Sequence, residues 1–143
     1  MRDNVFLDTN IFIYALTQPK NKDDIQKRER AINLLEKLIN QSYIFVSVQI
    51  INELHINMVK KFKIDDSLTF KIIEDNILAI ASVESLNHQT YTIAFEIRQE
   101  YNISYWDSLV VASALESSCD LLYSEDMQDG LIIKDRLKII NPF

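Results

Sequence analysis

Apolar and polar positions in this chain alternate between two periods. Short β-favouring runs give way to longer stretches with apolar residues three and four apart, and the exchange recurs from end to end. The pivotal stretch is Val5-Phe6-Leu7-Asp8-Thr9-Asn10-Ile11-Phe12-Ile13. Its first half reads as a buried strand that delivers Asp8 to a sheet edge, where a helix over 9–16 begins. Pro19, among polar neighbours, ends that helix. Ala31, Leu34, Leu35 and Leu38 then mark a helix over 23–40, widened by Ile32 and Ile39, with Lys27, Arg28 and Arg30 on a solvated face in the favoured reading and an RNA-backbone contact as the alternative.

Residues 43–47 read as a second buried strand. A helix over 48–62 follows, with Ile51, Leu54, Met58 and Phe62 as its stripe. That stripe leaves Glu53 on the opposite side near Asn57 and Lys60, a solvent-facing place by periodicity alone. Asp65-Asp66 opens the next helix, which carries Leu68, Ile72, Ile73, Ile77 and Leu78. Residues 80–83 read as a short strand. A helix over 87–101 follows, with Tyr91, Ala94, Phe95, Ile97, Arg98 and Tyr101 on its inner side. Ser104 and Asp107, at capping-box spacing, open another helix rich in small alanines. A strand over 120–124 leads into an acidic turn over 125–130, and short strands over 131–133 and 137–140 close the pattern.

Strands alternating with helices define an α/β class with a mainly parallel sheet and helices on both faces. Right-handed crossovers bring successive strand ends to one edge. Asp8 and Asp126 each follow a strand, Asp107 stands at a helix start, and Glu53 lies in the second turn after strand two. This order can bring the four acids together. Each also has an ordinary explanation: Asp8 as a helix cap, Glu53 as a solvated helix residue, Asp107 as a dipole partner, Asp126 in a solvated turn.

Composition narrows the chemistry. At 143 residues and 48% hydrophobic, the chain is expected to form a single domain over 1–143 with a real core. One glycine and two prolines leave little loop punctuation. The lone Cys119 excludes an internal disulfide and a thiolate cluster, and only His55 and His88 are available for a histidine-rich zinc site. A net charge of −6 argues against a broad basic nucleic-acid surface but not against an acidic metal site. The start of the chain has no signal-peptide pattern, and no apolar run reaches spanning length, so a cytoplasmic protein without membrane association is expected.

Four convergent carboxylates repel one another unless some are protonated or a divalent cation neutralises them. Hard oxygen donors suit Mg²⁺ or Mn²⁺, which can activate water and offset the charge that builds on a phosphodiester. Hydrolysis of a nucleic-acid backbone is the reaction class that fits.

Four stretches of the chain resemble the signature regions of a known family. Phe6-Leu7-Asp8-Thr9-Asn10, the stretch from Ser47 to Glu53, Trp106-Asp107-Ser108 and Leu122-Tyr123-Ser124-Glu125-Asp126 look like the four signature regions of PIN domains. The ending from Leu137 to Phe143 is similar to the bacterial VapC-type branch, toxin ribonucleases of type II toxin–antitoxin systems. The resemblance spans essentially the whole chain. It implies a parallel sheet of about five strands and a Mg²⁺- or Mn²⁺-dependent endoribonuclease that cuts RNA with metal-activated water. It assigns catalytic, metal-holding roles to Asp8, Glu53, Asp107 and Asp126, and supporting roles to Asn10 and Ser124, with Asp129 as an optional further acid. In the Glu125-Asp126 pair the motif register selects Asp126. It also implies a homodimer and a cognate antitoxin that blocks the site.

Other readings make different demands. A phosphatase of the haloacid dehalogenase type needs a second Asp where Asn10 stands, and a phospho-receiver domain needs paired acids after its first strand. A catalytically silent PIN-like module binding RNA or protein, or an RNA-processing nuclease without an antitoxin, are the alternatives. Metal-dependent cleavage separates the first from a nuclease, and an adjacent antitoxin gene separates the second from a toxin.

Overall fold

Strand β1 (Asp3–Leu7) lies inside a six-stranded sheet, and Val5, Phe6 and Leu7 are fully buried. A continuous apolar run is what a strand covered on both faces requires. The computed structural model describes residues 2–143. The other strands are β2 (Ser42–Ser47), β3 (Ala81–Glu84), β4 (Leu121–Tyr123), β5 (Ile132–Ile133) and β6 (Leu137–Ile140). Their spatial order is β3-β2-β1-β4-β6-β5. Every pairing is parallel except that of β5 with β6. The count of six, against the expected five or so, comes from this antiparallel edge ribbon. The sole glycine, Gly130, precedes it at φ +83° and donates its N–H to the Ile139 carbonyl at 2.8 Å.

The helices are α1 (Thr9–Leu16), α2 (Lys22–Gln41), α3 (Val48–Lys60), α4 (Asp66–Ile73), α5 (His88–Glu100) and α6 (Tyr105–Glu116). A π-helical turn, Glu74–Leu78, continues α4. The chain steps from β1 to β2 to β3 in one direction, then returns through α5 and α6 to β4 on the other side of β1. Right-handed crossovers therefore put α1 to α4 on one face and α5 and α6 on the other. The order reverses between β1 and β4, which opens a crevice at the carboxyl ends of these two strands. Leu7 is level with Tyr123, so Asp8 and Ser124 leave the sheet side by side.

Several faces differ from the periodic reading. In α3 the fully buried stripe is Ile50, Leu54 and Met58, while Ile51 is only partly covered. With the core face turned this way, Glu53 lies about 100° from it rather than opposite. It flanks the core, together with Gln49 and Asn57, four residues before and after it. In α4 and its continuation Ile73 and Ile77 are buried, but Leu68 and Leu78 are 52% and 42% exposed. In α5 the inner side is Thr90, Ala94 and Ile97, and Tyr91 and Phe95 project outward at 58% and 50% exposure. Thr90 is buried because it closes a capping box with Asn87. Helix α6 is buried from Ser108 through Leu115 and packs on α5, as its small residues allow. Among the described residues no helix is long and apolar enough to cross a membrane.

Candidate metal centre

The crevice between β1 and β4 is a polar cleft of about 190 Å³. Its lining includes Asp8, Glu53, Asp107 and Asp126, with Thr9, Asn10, Gln49, Asn57, Trp106 and Val110. The four acids singled out in the sequence therefore meet at one place, though they come from four separate segments of the chain.

Asp8 is the inner acid, only 7% exposed. It caps α1, Oδ1 accepting the Thr9 N–H at 2.7 Å. Its Oδ2 accepts the Ser124 hydroxyl at 2.8 Å. The cap explanation is thus correct for one carboxylate oxygen and leaves the cleft-facing role of the residue untouched. Burial raises the Asp8 carboxyl to about 6, against the lowering effect of these two hydrogen bonds, and the charges of Asp107 and Glu53 add to the rise.

Glu53 is held from two sides. Thr9 Oγ1 donates to Oε2 at 2.9 Å, and Gln49 Nε2 donates to Oε1 at 3.1 Å. Gln49 also reaches the Trp106 carbonyl at 3.3 Å, which ties α3 to the start of α6. Asp107 stands in the first turn of α6, whose cap is Ser104: its Oγ accepts the Asp107 N–H at 3.3 Å. No reciprocal bond joins the Asp107 carboxylate to the Ser104 backbone, so the expected capping box is only half formed. The Asp107 carboxyl is raised by partial burial, opposed by Ser104 and reinforced by Asp126 and Glu53. Asp126, on the exposed loop after β4, accepts from Asn10 Nδ2 at 3.0 Å.

The neighbouring acids face elsewhere. Glu125 turns back towards α1 and α2. Tyr14 donates its hydroxyl to Oε1 at 2.9 Å, and Lys27 Nζ lies 3.3 Å from Oε2, an ion pair without hydrogen-bond alignment. Lys27 is therefore not on the solvated face assigned to it, although Arg28 and Arg30 are exposed. Asp129 is outside the cleft. Its Oδ1 accepts the Asn141 N–H at 2.8 Å and fastens the acidic loop to the end of β6. Thr9, Gln49 and Asn57 join the lining without having been singled out as site residues. Gln49 and Asn57 did carry a signal, since four-residue steps from Glu53 place them on its face.

Among the described residues no three carboxylate, imidazole or thiolate groups form a closed ligand set in this conformation. The donor set nevertheless fits a hard divalent cation. The lining has four carboxylates and no Lys, Arg or His, and burial together with the like-charged neighbours makes the ionised form of Asp8 costly unless a cation offsets it.

The chain is a three-layer α/β protein with an acid-lined crevice at its topological switch point. The PIN-domain family profile matches residues 5–129, and the chain belongs to that family. No curated protein matches. Among solved structures, a toxin–antitoxin complex from Klebsiella pneumoniae superposes with a TM-score of 0.67 at 19% identity, covering 97% of this chain and 98% of that one. The VapBC2 complex of Rickettsia felis, bound to a DNA fragment from its promoter, gives 0.65 at 20% identity, covering 86% and 88%. The Mycobacterium tuberculosis toxin VapC20, which cleaves the sarcin–ricin loop, gives 0.63 at 14%, covering 82% and 86%. At these identities the likenesses establish the shared fold.

Proposed function

We propose that this chain is a divalent-cation-dependent endoribonuclease, formed by one PIN domain over 1–143, and the toxin of a type II toxin–antitoxin pair. The observation that carries the proposal is the cleft: Asp8, buried and proton-loving, faces Glu53, Asp107 and Asp126 with no cationic side chain among them. These four acids would hold Mg²⁺ or Mn²⁺. When bound, the cation would activate water and offset the charge that develops on the phosphodiester.

The remaining residues position the acids. Ser124 and the Thr9 N–H fix both oxygens of Asp8, so its charge is available at one orientation. Thr9 and Gln49 orient Glu53, and Asn10 steers Asp126 from the exposed loop after β4 towards the cleft. Asp107, at the amino end of α6, is not needed as the helix cap because Ser104 serves that end. The toxin reading draws support from the three superposed proteins, each a toxin or a toxin–antitoxin complex. With it come RNA as substrate, a cognate antitoxin, a homodimer and a cytoplasmic site of action.

The test is cleavage of a mixed structured RNA pool with Mn²⁺, Mg²⁺ or EDTA, by wild type and Asp8→Asn. Endonucleolytic products that require both the metal and Asp8 support the reading. Cleavage that persists in EDTA or in the variant would overturn it. Growth arrest by wild type and not by Asp8→Asn, relieved by an antitoxin encoded beside it, supports the toxin assignment.

A further inference from the structure

A second cavity, of about 630 Å³, adjoins the acidic cleft and shares Gln49, Glu53 and Trp106 with it. Its other walls are Val48, Asn52, Ser85 and Leu86, so Glu53 is the only charged residue in its lining. Its volume falls within the range of roughly 300–1,000 Å³ usual for sites that take small apolar or aromatic groups. Trp106 forms its lip at 64% exposure, and Val48 is 42% exposed beside it.

Trp106 is also braced. Tyr105 meets it edge to face, with ring centroids 5.1 Å apart at 87°. The Arg98 guanidinium lies 4.7 Å from the Tyr105 ring centre, and its Nη1 donates to Ser108 Oγ at 2.8 Å. From the α3 side, Gln49 Nε2 donates to the Trp106 carbonyl. A large indole exposed at the mouth of a cavity loses little further freedom on binding when it is already held this way.

The acidic balance of the chain gives the cavity added weight. The chain carries a net charge of −6, which argues against a broad basic surface that grips a nucleic acid through its phosphates alone. Stacking of unpaired bases on aromatic rings supplies affinity without basic residues, and only unpaired bases present a free face.

We infer that the cavity bounded by Trp106, Val48 and Leu86 receives an unpaired nucleobase of the RNA strand whose adjacent phosphate enters the acidic cleft. The indole stacks on the base, and the exposed Asn52 amide at the rim is placed to meet its polar edge. This rests on the ribonuclease reading and deepens it by naming the side chains that hold the base beside the phosphate being cut.

Trp106 is the only tryptophan, so its emission reports on this cavity and the adjoining cleft, and the Trp106 variants assign the signal to the ring. The experiment titrates Asp8→Asn protein, with Mg²⁺ present, with a mixed-sequence 12-nucleotide RNA and with the same RNA annealed to its complement. Labelled RNA gives affinities for the Trp106→Ala and Trp106→Phe variants in the same background. The expected result is quenching by the single strand and not by the duplex. Trp106→Ala weakens single-strand binding at least about fivefold, and Trp106→Phe restores most of it. Equal quenching by duplex places the contact on the phosphate backbone and overturns the inference. So does emission that shifts with protein concentration alone, which puts a second copy in the cavity. If wild type cuts the 12-mer but Trp106→Ala binds as well as its parent, the cavity inference fails and the ribonuclease reading stands. If wild type neither binds nor cuts RNA, both fail.

Discussion

Ser124 Oγ donates to Asp8 Oδ2 at 2.8 Å, joining the end of β4 to the end of β1 across the point where strand order reverses. Both residues are almost wholly buried, at 0% and 7% exposure. The bond lowers the Asp8 carboxyl against its burial and fixes the direction in which the carboxylate faces. Ser124→Ala removes it without altering the backbone. We expect roughly 10–100-fold weaker Mn²⁺ activation of cleavage. A buried acceptor left unpaired also costs about 1–3 kcal/mol near neutral pH. Metal titration of the cleavage rate and a denaturant melt measure the two effects. Unchanged metal dependence would remove Ser124 from the support of the site.

Asp107 separates catalysis from helix stability. Ser104 already serves the α6 end, and the Asp107 carboxylate has no bond to the Ser104 backbone. Asp107→Asn is therefore expected to cost no more than about 1 kcal/mol, the size of a lost dipole interaction. Cleavage should fall by more than about tenfold. Comparing unfolding midpoints with single-turnover rates checks this. A large stability loss with proportionate loss of activity would make Asp107 a structural residue only.

The adjacent pair Glu125 and Asp126 should behave oppositely. Glu125 is committed to Tyr14 and Lys27, whereas Asp126 lines the cleft and is steered by Asn10. Glu125→Gln should leave the cleavage rate within about twofold while lowering the unfolding midpoint, because the partly buried Lys27 loses the less exposed of its two carboxylate partners and keeps only Asp23. Asp126→Asn should do the reverse. Rates and melts on the two variants, side by side, decide which acid the active site uses.

The Asp8 carboxyl, raised on folding from 3.8 to about 6, sets a pH dependence for metal-free protein. The folded state holds this proton more tightly than the unfolded chain. Its contribution to stability is complete below about pH 4 and is lost as pH rises through about 6, amounting to about 3 kcal/mol. In EDTA the wild-type melting temperature should fall relative to Asp8→Asn between about pH 4 and pH 7. Mn²⁺, which competes with the proton, should stabilise wild type more at pH 7 than at pH 5. Parallel melting curves for wild type and Asp8→Asn across this range would contradict the assignment.

The sequence by itself determined the alternation of strands and helices, because apolar period is written locally. The run Val5-Phe6-Leu7 read as a buried strand, and Ser104 and Asn87 marked the helix starts that the structure has. Tertiary structure decided what periodicity could not see. Glu53 looked solvent-facing until the core stripe of α3 settled on Ile50, Leu54 and Met58, which turned its flank towards Thr9. Tyr91 and Phe95 looked inward until Thr90, tied into its capping box, took the buried position. Glu125 and Asp126 differ by one residue and by no local property. Only the positions of Tyr14, Lys27 and Asn10, all far away along the chain, send one carboxylate to the back of the loop and the other into the cleft. A pattern records which residues avoid water. Which charges meet depends on how segments more than a hundred residues apart are brought together by the sheet.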